Sequence, residues 1–479
     1  KQPKNPIFPI MPINQVQPGL KFLPPRFNPL VLSGCQFVLP WWLKFQTNIS
    51  SIQAENVENL VNLYRQFQDK KIRFLIAFRH PRSDDPLCMG YLLWQLVPEM
   101  AKQQGIELKS PIHSHFMYDR GIPLWAGDIV AKLYSNLGGT SIMRGKIDRE
   151  GLRSARDLFA NSNFPIAAAP EGATNGHNEK ISPIEPGISQ LGFWCLEDIK
   201  KAGRNEEVLI LPLGIQYYYI NEPWEEIAKL VDELETEMGL LPGKDGGSLL
   251  KDETPNFLYY RLLRLGFKML EVMENFYRKF YHQPLAETQM NPEELLASGA
   301  NIEELNTTLA HRLQTLLDVA LQVAEQFFNV KGKGNFIDRC RRLEQAGWDC
   351  IYREDIPDID ALSPLERGLA DRVAEEADLR MWHMRLVESF VAVSGHYVRE
   401  KMTSERFAET TLLLWDVVQR IKGGNPFQRP TLGKQRVEMR IGEPISISQR
   451  EEAYKTSRKN AVSQLTQDLQ TALEGLIKV

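Results

Sequence analysis

A chain of 479 residues and 54.9 kDa has room for about three ordinary domains, or for one large domain carrying an insertion. Hydrophobic residues at 43% and charged residues at 25% are the usage of a packed globular protein and exclude a long disordered, collagenous or fibrous chain. With 57 Lys+Arg against 61 Asp+Glu, a net charge of -4 and a pI near 6.2, there is no bulk positive field to grip nucleic acid, so any basic site must be local. Five cysteines (Cys35, Cys88, Cys195, Cys340 and Cys350) without CxxC spacing point to a reducing compartment rather than a disulfide scaffold or a zinc knuckle.

Eight prolines between Pro3 and Pro29 predict an extended arm, because proline lacks the amide donor that helices and central strands use. The apolar stretch from Asn28 to Phe45 is interrupted by Gly34, Gln36 and Pro40 and is too short to span a bilayer. Its Trp41, Trp42 and Lys44 are residue types that settle at a lipid headgroup boundary; packing on the core is the other reading. No charged-then-apolar leader follows Lys1, so no signal peptide is expected. These features set 1–49 apart as an arm with a possible membrane-surface segment.

From 50 to 220, apolar runs alternate with helical patterns: KIRFLIAF (71–78), SIMR (141–144), PIAAAP (165–170) and EVLILPLGIQYYY (207–219). Short continuous apolar runs of this kind predict strands buried on both faces, hence an α/β core with a mixed sheet flanked by helices. The texture then becomes helical from 221 to 433. Asn291-Pro292-Glu294 and Ser363-Pro364-Glu366 read as helix starts. Amphipathic spacing runs through Trp224, Ile227, Leu230, Val231 and Leu234, then through Leu305, Leu309, Leu313, Leu316 and Leu317, and again from Met381 to Phe390. A strand and turn return at 436–445, and Ser448 with Glu451 predicts the cap of one final helix. The helices of 221–433 are therefore read as a large inserted subdomain, and 434–479 as the closing strand and last helix of the core.

Four segments at the ends of apolar runs carry candidate chemistry, where loops leave a buried sheet and ligands bind. RHPRSDDP places His80 five residues before Asp85, so the carboxylate could fix the tautomer of the imidazole and leave its other nitrogen as a base. GGTSIMRGK brings an apolar strand to Arg144, whose planar fork suits phosphate oxygens. In AAAPEGATNG, Pro170 and Gly172 pin a turn around Glu171, and Thr174 supplies a hydroxyl. In ILPLGIQY, Pro212 marks a bulge or an edge. Arg149, Arg153 and Arg156 read as a solvated helix face balanced by neighbouring acids. His113 and His115 could mark a metal site or a hydrogen-bonded pair, and His177 could line a pocket or face solvent.

In order and spacing these segments resemble the glycerolipid acyltransferase family, best known from the 1-acylglycerol-3-phosphate acyltransferases. His80 and Asp85 match its HxxxxD motif, Gly138 and Arg144 its GxxxxxR-like strand ending, Pro170, Glu171 and Gly172 its FPEG motif, and Pro212 its fourth motif. The Gly442-Glu443-Pro444 turn is similar to its closing strand, and Asp85-Pro86 is similar to the plastid-type glycerol-3-phosphate acyltransferases. Arg79 stands where the family has Asn, and Ala169 where it has an aromatic residue.

The resemblance implies a cofactor-free and metal-free O-acyltransferase. The donor would be a thioester of acyl carrier protein or CoA, and the acceptor a hydroxyl of a glycerol phosphate or lysophospholipid. His80 would be the general base steadied by Asp85, with Arg144, Glu171, Gly172 and Thr174 at the substrates. It also implies a role in phospholipid synthesis and a cytoplasmic, peripheral place on a membrane surface, with no nucleic-acid partner. A lipid-binding scaffold that keeps the fold without turnover is the alternative. No GxSxG elbow, P-loop, HExxH or GxGxxG is found in the chain.

Overall fold

The computed structural model of the chain describes residues 15–143, 148–241, 255–286, 290–390, 396–426 and 428–478, with Trp125 by its backbone alone. They divide into two compact units: 21–220 with 434–478, and 15–20 with the described residues of 221–433.

The strands in chain order are β1 (Gln17–Pro18), β2 (Ile49–Glu55), β3 (Ile72–Phe78), β4 (His115–Asp119), β5 (Thr140–Ile142), β6 (Ile166–Ala168), β7 (Glu207–Tyr219), β8 (Tyr352–Arg353), β9 (Gln435–Ile441) and β10 (Ile445–Ser446). In the first unit they form one mixed sheet in the order β2-β9-β7-β3-β6-β4-β5, with β10 also pairing β7. β3 to β7 run parallel, β9 lies antiparallel to β7, and β2 is parallel to β9 at the edge. The helices of this unit that matter for the site are α1 (Pro29–Gln46), α2 (Val57–Gln68), α3 (Asp85–Tyr91), α4 (Asp128–Asn136), α5 (Arg149–Asn161), α6 (Gly187–Lys201) and the C-terminal helix Arg458–Gly475.

β3 has a continuous apolar sequence because both of its faces are covered. Phe74, Ile76 and Phe78 pack with Leu60, Val61 and Tyr64 of α2, while Leu75 and Ala77 pack with Phe159 of α5, Phe193 of α6 and Leu469 of the C-terminal helix. Pro212 is not at an edge. β10 pairs residues 209–210 of β7 and β9 pairs residues 213–219, so Pro212 sits where the antiparallel partner changes and its missing N–H breaks no ladder. Its carbonyl accepts the N–H of Gly442 at 2.9 Å, and a Cβ on Gly442 would come within 2.9 Å of the Pro212 ring.

Two further expectations change. The N-terminal arm is divided: β1 pairs β8 in the second unit, whereas the N–H groups of Arg26 and Asn28 bond to the carbonyls of Ser135 and Asn136 in the first. The single last helix is two, Glu451–Thr456 and Arg458–Gly475, separated by Ser457 in extended conformation. The Ser448 hydroxyl is engaged elsewhere, accepting the N–H of Val208 at 2.9 Å.

In the second unit the principal helices are α7 (Trp224–Glu237), α8 (Pro255–Tyr281), α9 (Ile302–Phe328), α10 (Phe336–Ile351), α11 (Pro364–Phe390) and α12 (Ser404–Lys422). Asn291 with Glu294 and Asn301 with Glu304 form capping boxes, and Ser363 exchanges hydrogen bonds with Glu366 ahead of α11. Two of the buried charges on these helices form fork-to-carboxylate pairs, Arg312 on Glu274 at 3.0 and 2.8 Å and Arg339 on Glu325 at 2.7 and 2.8 Å. No described helix is long and apolar enough to cross a membrane.

Candidate active site

β3, β6 and β7 run parallel, so the loops leaving β3 and β6 emerge on the same side of the sheet. The loop after β3 carries His80, whose Nδ1 lies 2.8 Å from Asp85 Oδ2 at the start of α3. The imidazole is 21% exposed and the carboxylate 0%. With Nδ1–H donating inward to the sealed carboxylate, Nε2 keeps its lone pair for an incoming proton.

Asp85 is itself held on three sides. Oδ2 also accepts the backbone N–H of Arg82 at 2.8 Å, and Oδ1 accepts the hydroxyl of Tyr217 at 2.6 Å. Tyr217 reaches it from β7, and burial together with the Asp85 charge pushes the phenol far above its usual range, so it acts as a donor. Sequence reading missed this residue: it lies in a run of three tyrosines, 132 positions from its partner.

Glu171, in the loop after β6, is turned inward. Oε1 accepts the N–H of His80 at 2.9 Å; Oε2 accepts the Asn175 side chain at 2.9 Å and the N–H of Ser182 at 3.0 Å. Burial raises its pKa, against the nearby Arg79 guanidinium. By accepting these amides, the carboxylate fixes the histidine loop to its own. The N–H of Gly176 adds a second stitch to the carbonyl of Pro81 at 3.1 Å. Gly172 turns the chain at φ +72°, where a Cβ would lie 2.5 Å from Glu185 Oε1, and Thr174 is exposed in the same loop. His177 is buried rather than facing solvent.

Arg79, the departure from the family pattern, is fully buried and spreads its fork over the carbonyls of His177, Asn178 and Lys180. Asn178 in turn exchanges two hydrogen bonds with the backbone of Tyr217, at 2.8 and 2.7 Å. The three segments that carry His80, Glu171 and Tyr217 are thereby tied together. Arg82 lies beside them, one-third exposed, with its guanidinium 4.7 Å from the Tyr217 ring centre and paired with Gln435.

Arg144 lies outside the described residues. Gly138, matched to the start of the same motif, has φ +79°, and a Cβ there would come within 2.6 Å of His115 Nδ1. His115 Nδ1 donates to the carbonyl of Gly138 and His113 Nε2 to that of Leu137, both at 2.8 Å. The Trp94 indole donates to the other nitrogen of His113 at 3.3 Å. Each ring serves the backbone after α4, and burial pushes His113 down to about 4. Among the described residues no group of three or more His, Cys, Asp or Glu could hold a metal ion. Cys88 is fully buried, 3.5 Å from the Tyr217 hydroxyl, and burial raises its thiol well above the usual range, which suits packing and not attack. Arg156 pairs with Asp198 of α6, so its charge joins two helices.

No protein-family model and no curated protein matches the chain.

Proposed function

We propose that the protein is an O-acyltransferase of the glycerolipid type, moving a fatty acyl group from a CoA or acyl-carrier-protein thioester to the hydroxyl of a glycerol phosphate or lysophospholipid. The observation that carries this reading is a histidine with 21% of its side chain exposed, backed at 2.8 Å by a carboxylate with no exposed surface. His80 Nε2 takes the proton of the acceptor hydroxyl as the oxygen attacks the thioester carbonyl. The tetrahedral adduct then collapses with loss of the thiolate, which recovers the proton from the imidazolium. No covalent enzyme intermediate is needed. In this proposal Arg144 holds the acceptor phosphate, Thr174 and Gly172 border the substrates, and Glu171 acts by ordering the loop.

A membrane-surface location is part of the same proposal. α1 buries Leu32, Leu39 and Leu43 and leaves Phe37, Trp41, Trp42 and Phe45 exposed. Aromatic residues presented beside Lys44 suit a lipid boundary.

The test is thiol release from acyl-CoA and from acyl carrier protein with glycerol phosphate and lysophosphatidate as acceptors. His80→Ala should lower turnover on the order of a hundredfold or more with an unchanged melting temperature. Near-normal turnover of that variant would rule out the mechanism. Arg144→Ala should act chiefly on the acceptor KM; an unchanged KM counts against the phosphate assignment.

A further inference from the structure

The interior of the second unit is not filled. Among α8, α9, α11 and α12, together with Tyr397 and Val398, lies a cavity of about 110 Å3. Twenty-one residues form its wall and none carries a charge. Ten are leucines, and Met269 and Met273 add side chains that adapt to irregular contents.

Polar partners are scarce. The wall has four hydroxyls. Tyr259 donates to Asn306 at 2.6 Å, Tyr277 pairs with His383 Nδ1 at 2.7 Å, and Tyr397 donates to Glu409 at 2.5 Å. Thr410 Oγ1 has no hydrogen-bond partner among the described residues. The space is partly open to solvent, but a water needs two to four polar partners to be held and this wall offers few, so an apolar occupant gains by displacing it.

The shape narrows the chemistry. Along α8 the wall runs from Tyr259 to Tyr277, about 27 Å at 1.5 Å per residue. A small volume spread over that length suits a thin chain better than a ring system. We propose that this cavity binds a single unbranched hydrocarbon chain, a fatty acyl or alkyl tail. The inference goes beyond the transfer reaction and does not depend on it. The chain could come from a monomeric fatty acid or from a phospholipid, and the chemistry in the cavity is the same.

The experiment is calorimetric titration of the full chain with saturated fatty acids from octanoate to palmitate. Affinity should rise about fourfold for each added methylene until the wall is covered, then level off. Ala320→Phe fills the cavity from the buried wall, and Leu313→Trp fills it from a half-buried position where folding is tolerant. Each should weaken palmitate binding about tenfold or more without removing the cooperative melt of the protein. Palmitate carrying a photoactivatable diazirine should label peptides of α8 and α9. The same group carried by phosphatidylcholine in vesicles separates the sources: label from the monomeric acid alone assigns a fatty acid, and label from vesicles alone assigns a lipid tail. Absence of saturable binding, affinity independent of chain length, or label confined to residues 21–220 and 434–478 overturns the proposal.

Discussion

The Tyr217 hydroxyl donates to Asp85 Oδ1 at 2.6 Å, and it sets the angle at which the other oxygen meets His80. Tyr217→Phe removes that donor and keeps the ring. It leaves a buried carboxylate oxygen unsatisfied, which should cost about 1–3 kcal/mol of stability. If Tyr217 positions the base, kcat should fall by about tenfold with acceptor and donor KM unchanged, because the bond matters as charge develops on the imidazole. A purely structural role would lower the melting temperature and leave kcat per folded molecule intact, so kinetics and a thermal melt on the same preparation decide. His80 and Asp85 were legible in the sequence because one loop carries both, and a short spacing fixes their relation. Tyr217 was not, since only the pairing of β3 with β7 brings it near. Arg79 looked like a defect in the motif; its role as a strut depends on three carbonyls about a hundred residues away and is visible only after folding.

Among the elements, β3 and β7 were readable because burial on both faces writes a continuous apolar run, α7 and α9 because of their apolar stripes, and α11 because its Ser363–Glu366 start and its stripe agree. The loss of the Ser448 cap was not, since the competing partner of its hydroxyl is a strand distant in sequence. α1 belongs between these cases: its composition suggested a lipid boundary, and the helix puts Phe37, Trp41 and Phe45 on exposed positions. The double variant Phe37→Ser and Trp41→Ser should reduce co-sedimentation with phosphatidylcholine–phosphatidylglycerol vesicles at least about tenfold, since each side chain forfeits roughly 2 kcal/mol of apolar burial. Equal sedimentation of both proteins would remove α1 from the membrane proposal. Just ahead of β4, burial holds His113 down to about 4 against an ordinary value of 6.5, so the ring is neutral in the folded chain. Between pH 6.5 and pH 4 the unfolded chain takes a proton that the folded chain refuses. Stability from this group is therefore complete above the window and is lost as pH falls through it, by on the order of 3 kcal/mol. Denaturant midpoints between pH 7 and pH 4 should decline less steeply in His113→Gln; parallel curves would show that other groups carry the acid sensitivity.

At the scale of the whole molecule, the connection between the units is a hairpin. Tyr219 at the end of β7 stands opposite Gln435 at the start of β9, and the N–H of Ile220 bonds to the carbonyl of Lys434 at 3.0 Å. Everything in Asn221–Gly433 is thus carried in the turn of an antiparallel pair. Two strands already in register need only a two-residue turn to close, and Asn-Gly has the positive φ values that the tight hairpin requires. The first unit also keeps its own core: β3 and β7 are sealed by α2 on one face and by α5, α6 and the C-terminal helix on the other. Replacing 221–433 by Asn-Gly, with 1–20 removed, should therefore leave a soluble α/β protein that melts cooperatively. Since His80, Asp85, Glu171 and Tyr217 all belong to this unit, the shortened chain should retain thiol release on a short, soluble acyl-CoA. Its binding of palmitate with the steep methylene dependence should be gone, because α8, α9, α11 and α12 are absent. A shortened chain that folds but has lost transfer would mean that the inserted helices take part in the chemistry. One that fails to melt cooperatively would mean that β7 and β9 depend on them for more than their connection.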